Sequence, residues 1–233
     1  MELLVKTALE QTLTVIIPTL NAAASLRATI AACAEAKPLE FLVCDAGSTD
    51  GTATLATTCG ARVVTSSRGR GTQLAAGAGA ARGAWLLFLH ADTRPEPGWA
   101  DAVARFVAMP GSQARAGYFA FALDDASPAA RRLERMVAWR CRALALPYGD
   151  QGLLIHRDLY GEVGGFRPMP LMEDVDLARR LGRRRLHALP ARAVTSAERW
   201  QREGWTRRSA RNLLCLGLWF LGVPPQVIRR IYA

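Results

Sequence analysis

This sequence predicts an α/β fold built on a parallel sheet, and three observations carry that expectation. Apolar, strand-like runs alternate with stretches of helical periodicity through the first ninety positions. The runs at 13–17, 41–44 and 85–89 lack polar alternation, as strands covered on both faces do. Polar residues then gather directly after each run, where open parallel sheets bind their ligands.

In chain order, LTVII at 13–17 is the first strand, and Pro18 stops it. A helix follows from about residue 21, with Leu26, Ile30 and Cys33 at helical spacing and Asn21 as its cap. FLVC at 41–44 is the second strand and runs into Asp45-Ala46-Gly47-Ser48. A helix over about 50–59, a strand over 61–65, a small-residue helix over 71–82 and a strand over 85–89 complete a βαβ succession with right-handed crossovers. The second half is less regular. A strand is expected over 117–123, a helix over 128–146, a PYGDQG loop at 147–152 and a strand at 153–156. A short helix runs from Glu173 to about Leu181 after a Gly-Gly turn, and closing helices over 206–221 and 224–231 are broken by Pro224-Pro225. No internal repeat, low-complexity segment or long linker divides the 233 residues, so one domain is expected.

Composition narrows the function classes. The opening MELLVK is not a signal-peptide start, and no apolar run approaches the roughly 20 residues of a membrane span. The longest, at 213–223, reads as a core helix. Five scattered cysteines without a Cys-x-x-Cys pair suit free thiols in a reducing cytoplasm and offer no zinc site. Residues 1–116 hold ten basic and nine acidic residues, whereas residues 117–233 hold twenty and eleven. All the basic residues except Lys6 and Lys37 are arginines. Codon usage is one source of that excess; phosphates or an anionic membrane surface are the functional alternative. No basic-aromatic motif or helix-turn-helix pattern points to nucleic acid.

The polar groups after the strands are Pro18-Thr19-Leu20-Asn21, Asp45 with Gly47-Ser48-Thr49-Asp50-Gly51, Arg68-Gly69-Arg70-Gly71, and His90-Ala91-Asp92. Each alone reads as a cap or a turn; four at one sheet edge read as a ligand site. The segments VIIPTLN, VCDAGSTDGT, FLHADT and GGFRPMPLMEDVDL, in this order, resemble glycosyltransferase family 2, across about residues 13 to 200. GRGTQLAAGAGAARGAWLLFLHADT and REGWTRRSARNL are similar to a branch of short bacterial members of uncertain substrate.

The resemblance implies a GT-A type nucleotide-diphospho-sugar transferase fold, with a mixed, mostly parallel sheet flanked by helices. It divides the single domain 1–233 into a nucleotide-binding region (about 13–116), an acceptor and catalytic region (about 117–200) and C-terminal helices (about 201–233). It implies a nucleotide-sugar donor held by Pro18, Thr19, Asn21 and Asp45, with Arg68, Arg70 and Gln73 near the diphosphate. The family's metal site is an Asp-x-Asp after the fourth strand. Here it is His90-Ala91-Asp92, so Asp92 is the expected ligand for Mn2+ or Mg2+. His90 is either a nitrogen ligand favouring Mn2+ or a strand-end filler. Glu173-Asp174 matches the acidic pair, and Asp174 aligns with the base of an inverting transfer; the bland reading is acidic decoration of a helix N-terminus. Asp176 is expected to pair with Arg179 or Arg180. The resemblance also places Gly149-Asp150-Gln151-Gly152 where relatives bind acceptor or donor sugar, with Asp150 the most useful polar group. Arg199 and Trp200 stand in place of a Gln-x-x-Arg-Trp motif whose glutamine is Ser196, which argues against processive polymerisation. Trp200 flanks the acceptor or packs in the core. The other readings are a nucleotidyltransferase on a similar sheet, which lacks its glycine-rich first loop here, a dinucleotide oxidoreductase, and a catalytically inactive nucleotide- or membrane-binding module. The expected partners are the donor and an unidentified acceptor. The expected location is the cytoplasm, with peripheral contact on the inner membrane face through the arginines flanking 213–216.

Overall fold

The computed structural model describes residues 10–232; the reading of MELLVK at the start lies outside them. The first half contains β1 (Leu13–Thr19), α1 (Ala23–Cys33), β2 (Glu40–Asp45), α2 (Thr52–Thr58), β3 (Arg62–Thr65), α3 (Arg70–Ala80) and β4 (Trp85–Phe88), as the sequence predicts. Then come β5 (Thr93–Pro95), α4 (Trp99–Ala108), β6 (Ala116–Leu123), α5 (Pro128–Leu144), β7 (Leu153–His156), α6 (Arg157–Glu162), α7 (Glu173–Leu181), β8 (Leu186–Thr195), α8 (Glu198–Glu203), α9 (Trp205–Phe220) and α10 (Pro225–Tyr232).

These strands form one sheet in the order β3-β2-β1-β4-β7-β6-β8-β5. The pairs β3–β2, β2–β1, β1–β4 and β6–β8 are parallel, while β7 runs antiparallel to β4 and β6, and β5 to β8. Successive strand side chains face opposite sides. Leu13, Val15 and Ile17 therefore join Val43, Leu87, Trp99 and Phe106 in one core layer. Ile16 joins Leu42, Leu86, Phe88 and Ile155 in the other. Both layers exclude water, which is why β1 and β4 carry no polar alternation. Each fully buried aliphatic side chain there stabilises the fold by about 1.5–3 kcal/mol.

The antiparallel insertion of β7 positions the site. Phe88, at the end of β4, pairs with Leu153, at the start of β7. The loop entering β7 therefore lands beside the loop leaving β4. Thr93 pairs with Thr195, and their hydroxyls lie 2.8 Å apart. That contact brings the segment after β8 to the same edge.

Several expectations need correction. Asn21 is not the cap of α1: it has φ 52°, and its Oδ1 accepts from the Thr49 amide at 2.9 Å. The cap comes from the next loop, where Thr52 Oγ1 accepts from the Ala22 amide and Asp50 Oδ2 from the Ala23 amide. The apolar run 213–223 is not a core helix: Cys215 and Leu216 are buried, but Leu213, Leu214, Phe220 and Leu221 face solvent. The helix predicted over 128–146 stops at Leu144, because Ala145 takes the left-handed conformation. The unanticipated β8 carries a bulge: between the pairs Tyr118–Ala188 and Ala120–Arg192, residues 189–191 face Phe119 alone. Pro190 sits in that bulge, where no ladder donor is required.

Candidate active site

The β1 and β2 loops form a pre-built floor. Asp45 Oδ1 accepts from the hydroxyls of Thr19 and Ser48, and its Oδ2 accepts from the amides of Gly47 and Ser48. Burial acts to raise the Asp45 pKa, but the Ser48, Thr19 and Gly47 hydrogen bonds outweigh it and leave the carboxyl below its ordinary value. A carboxylate offers about four lone-pair sites, and these bonds use all of them. Asp45 thus shapes the loop, and a nucleobase contact requires exchange of one of its partners. Gln73 is likewise committed: its amide group donates to Thr19 O and Cys44 O, both at 2.8 Å, tying the carboxyl ends of β1 and β2 together. Asp176 binds Arg180 at 2.6 Å and Arg167 at 3.2 Å, in keeping with the expected Arg180 pairing.

Arg70 opens α3 and Glu173 opens α7, and a 3.3 Å ion pair joins the two N-termini. Gly71 permits the approach, since a Cβ there would lie 2.2 Å from Arg167 O. Glu173 is almost fully buried. Burial raises its carboxyl above the ordinary value, against the opposing pull of Arg70. Asp174 Oδ1 accepts from Val175 N at 2.8 Å, and Oδ2 from Gly149 N at 2.9 Å, which pins the β7 entry loop to α7.

In that loop Asp150 has an Oδ1 buried without a hydrogen-bond partner. Burial, reinforced by Asp174 and Asp92 and opposed by Arg140 and Arg70, pushes its carboxyl up to about 6. His90 lies beneath the loop; a Cβ on Gly149 would sit 2.5 Å from its Nε2, a nitrogen that is also buried without a partner. Burial first, then the charges of Arg70 and Arg199, lower the His90 pKa well below its ordinary value.

Whether these residues suit a divalent ion is decided by the donor set. Among the described residues, no three His, Cys, Asp or Glu side chains come together to hold an ion unaided. An ion bridging phosphates needs only one or two carboxylates, the remaining ligands being phosphate oxygens and water. Asp92 fits that role, because it lines the same cavity as Arg68, Arg70 and Arg199. His90 Nε2 lies close to Gly149, and the same histidine lines that cavity.

Three adjoining spaces result. The first, about 410 Å3, is lined by Pro18, Thr19, Asn21, Arg68, Arg70, Gln73, His90, Asp92, Glu173 and Arg199, which unites most of the anticipated donor residues. Asp45 does not line it, but Thr19, which donates to Asp45, does. The second, about 110 Å3, shares Arg70, His90, Asp92 and Arg199 with the first and adds Asp150, Asp174 and Trp200. The third, about 240 Å3, is a largely apolar groove between α5 and α9. Trp200 packs against Phe121 and also lines the second and third spaces.

Sequence reasoning missed four residues here. Arg229 of α10 lines the first space, and Arg208 and Asn212 of α9 line the second. Arg140 of α5 lies 3.4 Å from the Tyr148 ring centroid and donates to Gln151 Oε1. The segment REGWTRRSARNL was the available signal for Arg208 and Asn212. Arg229 and Arg140 carry no local pattern that separates them from their arginine neighbours.

Residues 14–113 match the model of the family described as glycosyl transferase family 2. No curated protein sequence matches the chain. Among solved structures, glucosyl-3-phosphoglycerate synthase from Mycobacterium tuberculosis, in complex with Mn2+, UDP and glucosyl-3-phosphoglycerate, is similar at 20% identity and a TM-score of 0.60, over 84% of this chain and 74% of that one. The same enzyme with Mn2+ and UDP-glucose aligns over 96% of this chain and 84% of its own, at 19% identity and a TM-score of 0.60. A structure described only as a mycobacterial protein aligns at 23% identity and a TM-score of 0.59, over 82% and 67% of the two chains. The fold is GT-A.

Proposed function

From the premise that residues 14–113 belong to glycosyl transferase family 2, we propose that this protein is an inverting glycosyltransferase, moving a sugar from a nucleoside-diphosphate donor to an acceptor hydroxyl. The observation that carries the reading is the convergence of Arg68, Arg70, Arg199 and Arg229 with Asp92 on one cavity that adjoins Asp174. Guanidinium forks match diphosphate oxygens in shape and charge. Asp92 is the residue to hold Mn2+ or Mg2+, which when bound would neutralise charge developing on the departing diphosphate. The Mn2+ and UDP-glucose bound by the neighbouring synthase support both the donor class and the metal.

Asp174 is the proposed general base. Two of its four lone-pair positions accept backbone amides, which fixes the carboxylate and leaves two for the acceptor. As the hydroxyl oxygen bonds to the anomeric carbon, its proton passes to the carboxylate and the bond to the diphosphate breaks. Asp150 is a second candidate, favoured by its unpartnered Oδ1 and by a carboxyl pushed up to about 6, near the range that suits a base. The exposed Leu213, Leu214, Phe220 and Leu221, flanked by Arg207, Arg229 and Arg230, support peripheral contact with an anionic membrane surface. No helix among the described residues is long and apolar enough to cross a membrane.

The test is a panel of nucleoside diphosphates and nucleotide sugars, with and without Mn2+, read by thermal stabilisation and donor hydrolysis. Metal-dependent stabilisation by one of them is expected; none across the panel overturns the reading. Retention of the donor's anomeric configuration in the product would refute direct displacement. Liposome co-sedimentation should rise with anionic lipid and fall with salt; absence of pelleting removes the membrane contact.

A further inference from the structure

The second and third spaces share a wall. Tyr148, Asp150, Trp200 and Asn212 line both. At that wall the chemistry changes abruptly. Among the residues lining the inner space, Asp150 Oδ1, Asn212 Oδ1, Trp200 Nε1 and Arg208 Nε are all buried without hydrogen-bond partners. Buried polar atoms are nearly always paired, so two acceptors and two donors left open around one small cavity mark a place for a polar occupant. On the outer side, the groove is walled by apolar side chains of α5 and α9, among them Val137, Leu133 and Leu216. Its mouth is rimmed by Trp139 and Leu213, which are 60% and 59% exposed. A molecule bridging the two spaces needs a hydrogen-bonding end and an apolar end, in that order from the carboxylates outward.

Building on the glycosyltransferase reading, we infer that the acceptor is an amphiphile: its hydroxyl-bearing head fills the cavity at Asp150, Asn212 and Trp200, and its apolar chain lies in the groove between α5 and α9. The head reaches the cavity that Asp174 also lines, so the chain fixes which hydroxyl meets the base. The groove's continuity with the catalytic cavity selects this occupant over a protein partner, which would cover the outer helix faces without reaching the carboxylates. A small phosphorylated acid, such as the phosphoglyceric acid bound with UDP-glucose and Mn2+ in a structure of the synthase neighbour, would leave the groove empty.

The probes are n-alkyl β-D-glucosides from hexyl to decyl, each below its micelle-forming concentration, with binding followed by tryptophan fluorescence. Each added methylene buried in the groove contributes about 0.8 kcal/mol, so affinity should rise about fourfold per carbon. Leu213→Glu and Trp139→Glu alter exposed positions and should abolish the chain-length dependence while leaving the thermal midpoint unchanged. Leu214→Glu and Leu221→Glu, on exposed positions outside the groove, should leave the dependence intact. Affinity independent of chain length overturns the inference, as does dependence that survives the groove variants or disappears in the outer ones. UDP binding with Mn2+ in the same samples reports on the donor site separately. Nucleotide binding with a flat chain-length series removes the amphiphile and spares the transferase reading; the converse result spares the groove and removes the donor.

Discussion

Replacing Asp150 with asparagine should make the protein more stable at neutral pH, an unusual result for a residue lining an active site. In the folded protein the Asp150 carboxyl is pushed up to about 6 from an ordinary 3.8, chiefly by burial. A raised carboxyl binds its proton more tightly when folded than when unfolded. Its favourable contribution is therefore complete below the unfolded pKa and is lost as pH rises through the folded one. A shift of roughly two pH units at about 1.36 kcal/mol each sets an upper bound of about 3 kcal/mol at pH 7 and above. Asp150→Asn keeps the shape and removes the charge, so up to that amount is recovered at pH 7.5 and almost none at pH 3. For a chain of this size the gain corresponds to about 2–4 °C in Tm per kcal/mol. The assay is thermal unfolding of both proteins from pH 3 to 8, without metal or nucleotide. Curves that converge below the ordinary value of 3.8 and separate steadily toward pH 7 are expected. Parallel curves, or an asparagine variant less stable at pH 7.5, would refute the picture of an electrostatically strained carboxylate.

Three other substitutions probe the rest of the site. Asp174→Asn should leave nucleotide binding unchanged and reduce turnover on the order of a hundredfold or more, measured as product formed at saturating donor. Asp92→Ala should keep the fold, because the residue lies beyond β4, yet lose metal-dependent stabilisation by a nucleoside diphosphate in thermal unfolding. Gly149→Ala places a Cβ 2.5 Å from His90 Nε2 and should destabilise by about 1–3 kcal/mol in denaturant titration. Adding His90→Ala should restore part of that loss if the histidine is what the new methyl meets.

The donor half was legible because its rules are local. β1, β2 and β4 are apolar on both faces, the helices between them have clear periodicity, and the polar residues follow directly. β8 was hidden because Pro190 and the bulge break its alternation, and β5 because three residues carry no pattern. The roles of Asp45 and Gln73 were not legible either. A sequence offers their side chains to any ligand, and only the folded loops reveal that each is already engaged by backbone. The acceptor side depended on long-range convergence, with Asp150, Trp200 and Asn212 brought together from separate elements. Nothing in the spacing of those residues announces that meeting.

Arg208, Asn212 and Arg229 all belong to the last two helices, whereas every strand of the sheet ends by Thr195. The sheet that frames the proposed donor cavity and the helices that roof the adjoining spaces are therefore consecutive in the chain. Exchange of one contiguous segment, from Gly204 onward, would replace the α9 wall of the groove and leave its α5 wall, Asp150, Asp174 and the sheet untouched. Arg229 is the cost of such a graft, since it reaches back to the donor cavity, and any replacement roof must return a cation to that position. One wall of the proposed acceptor groove is thus separable from the sheet, while the facing wall, on α5 and the loop entering β7, is held in place by it.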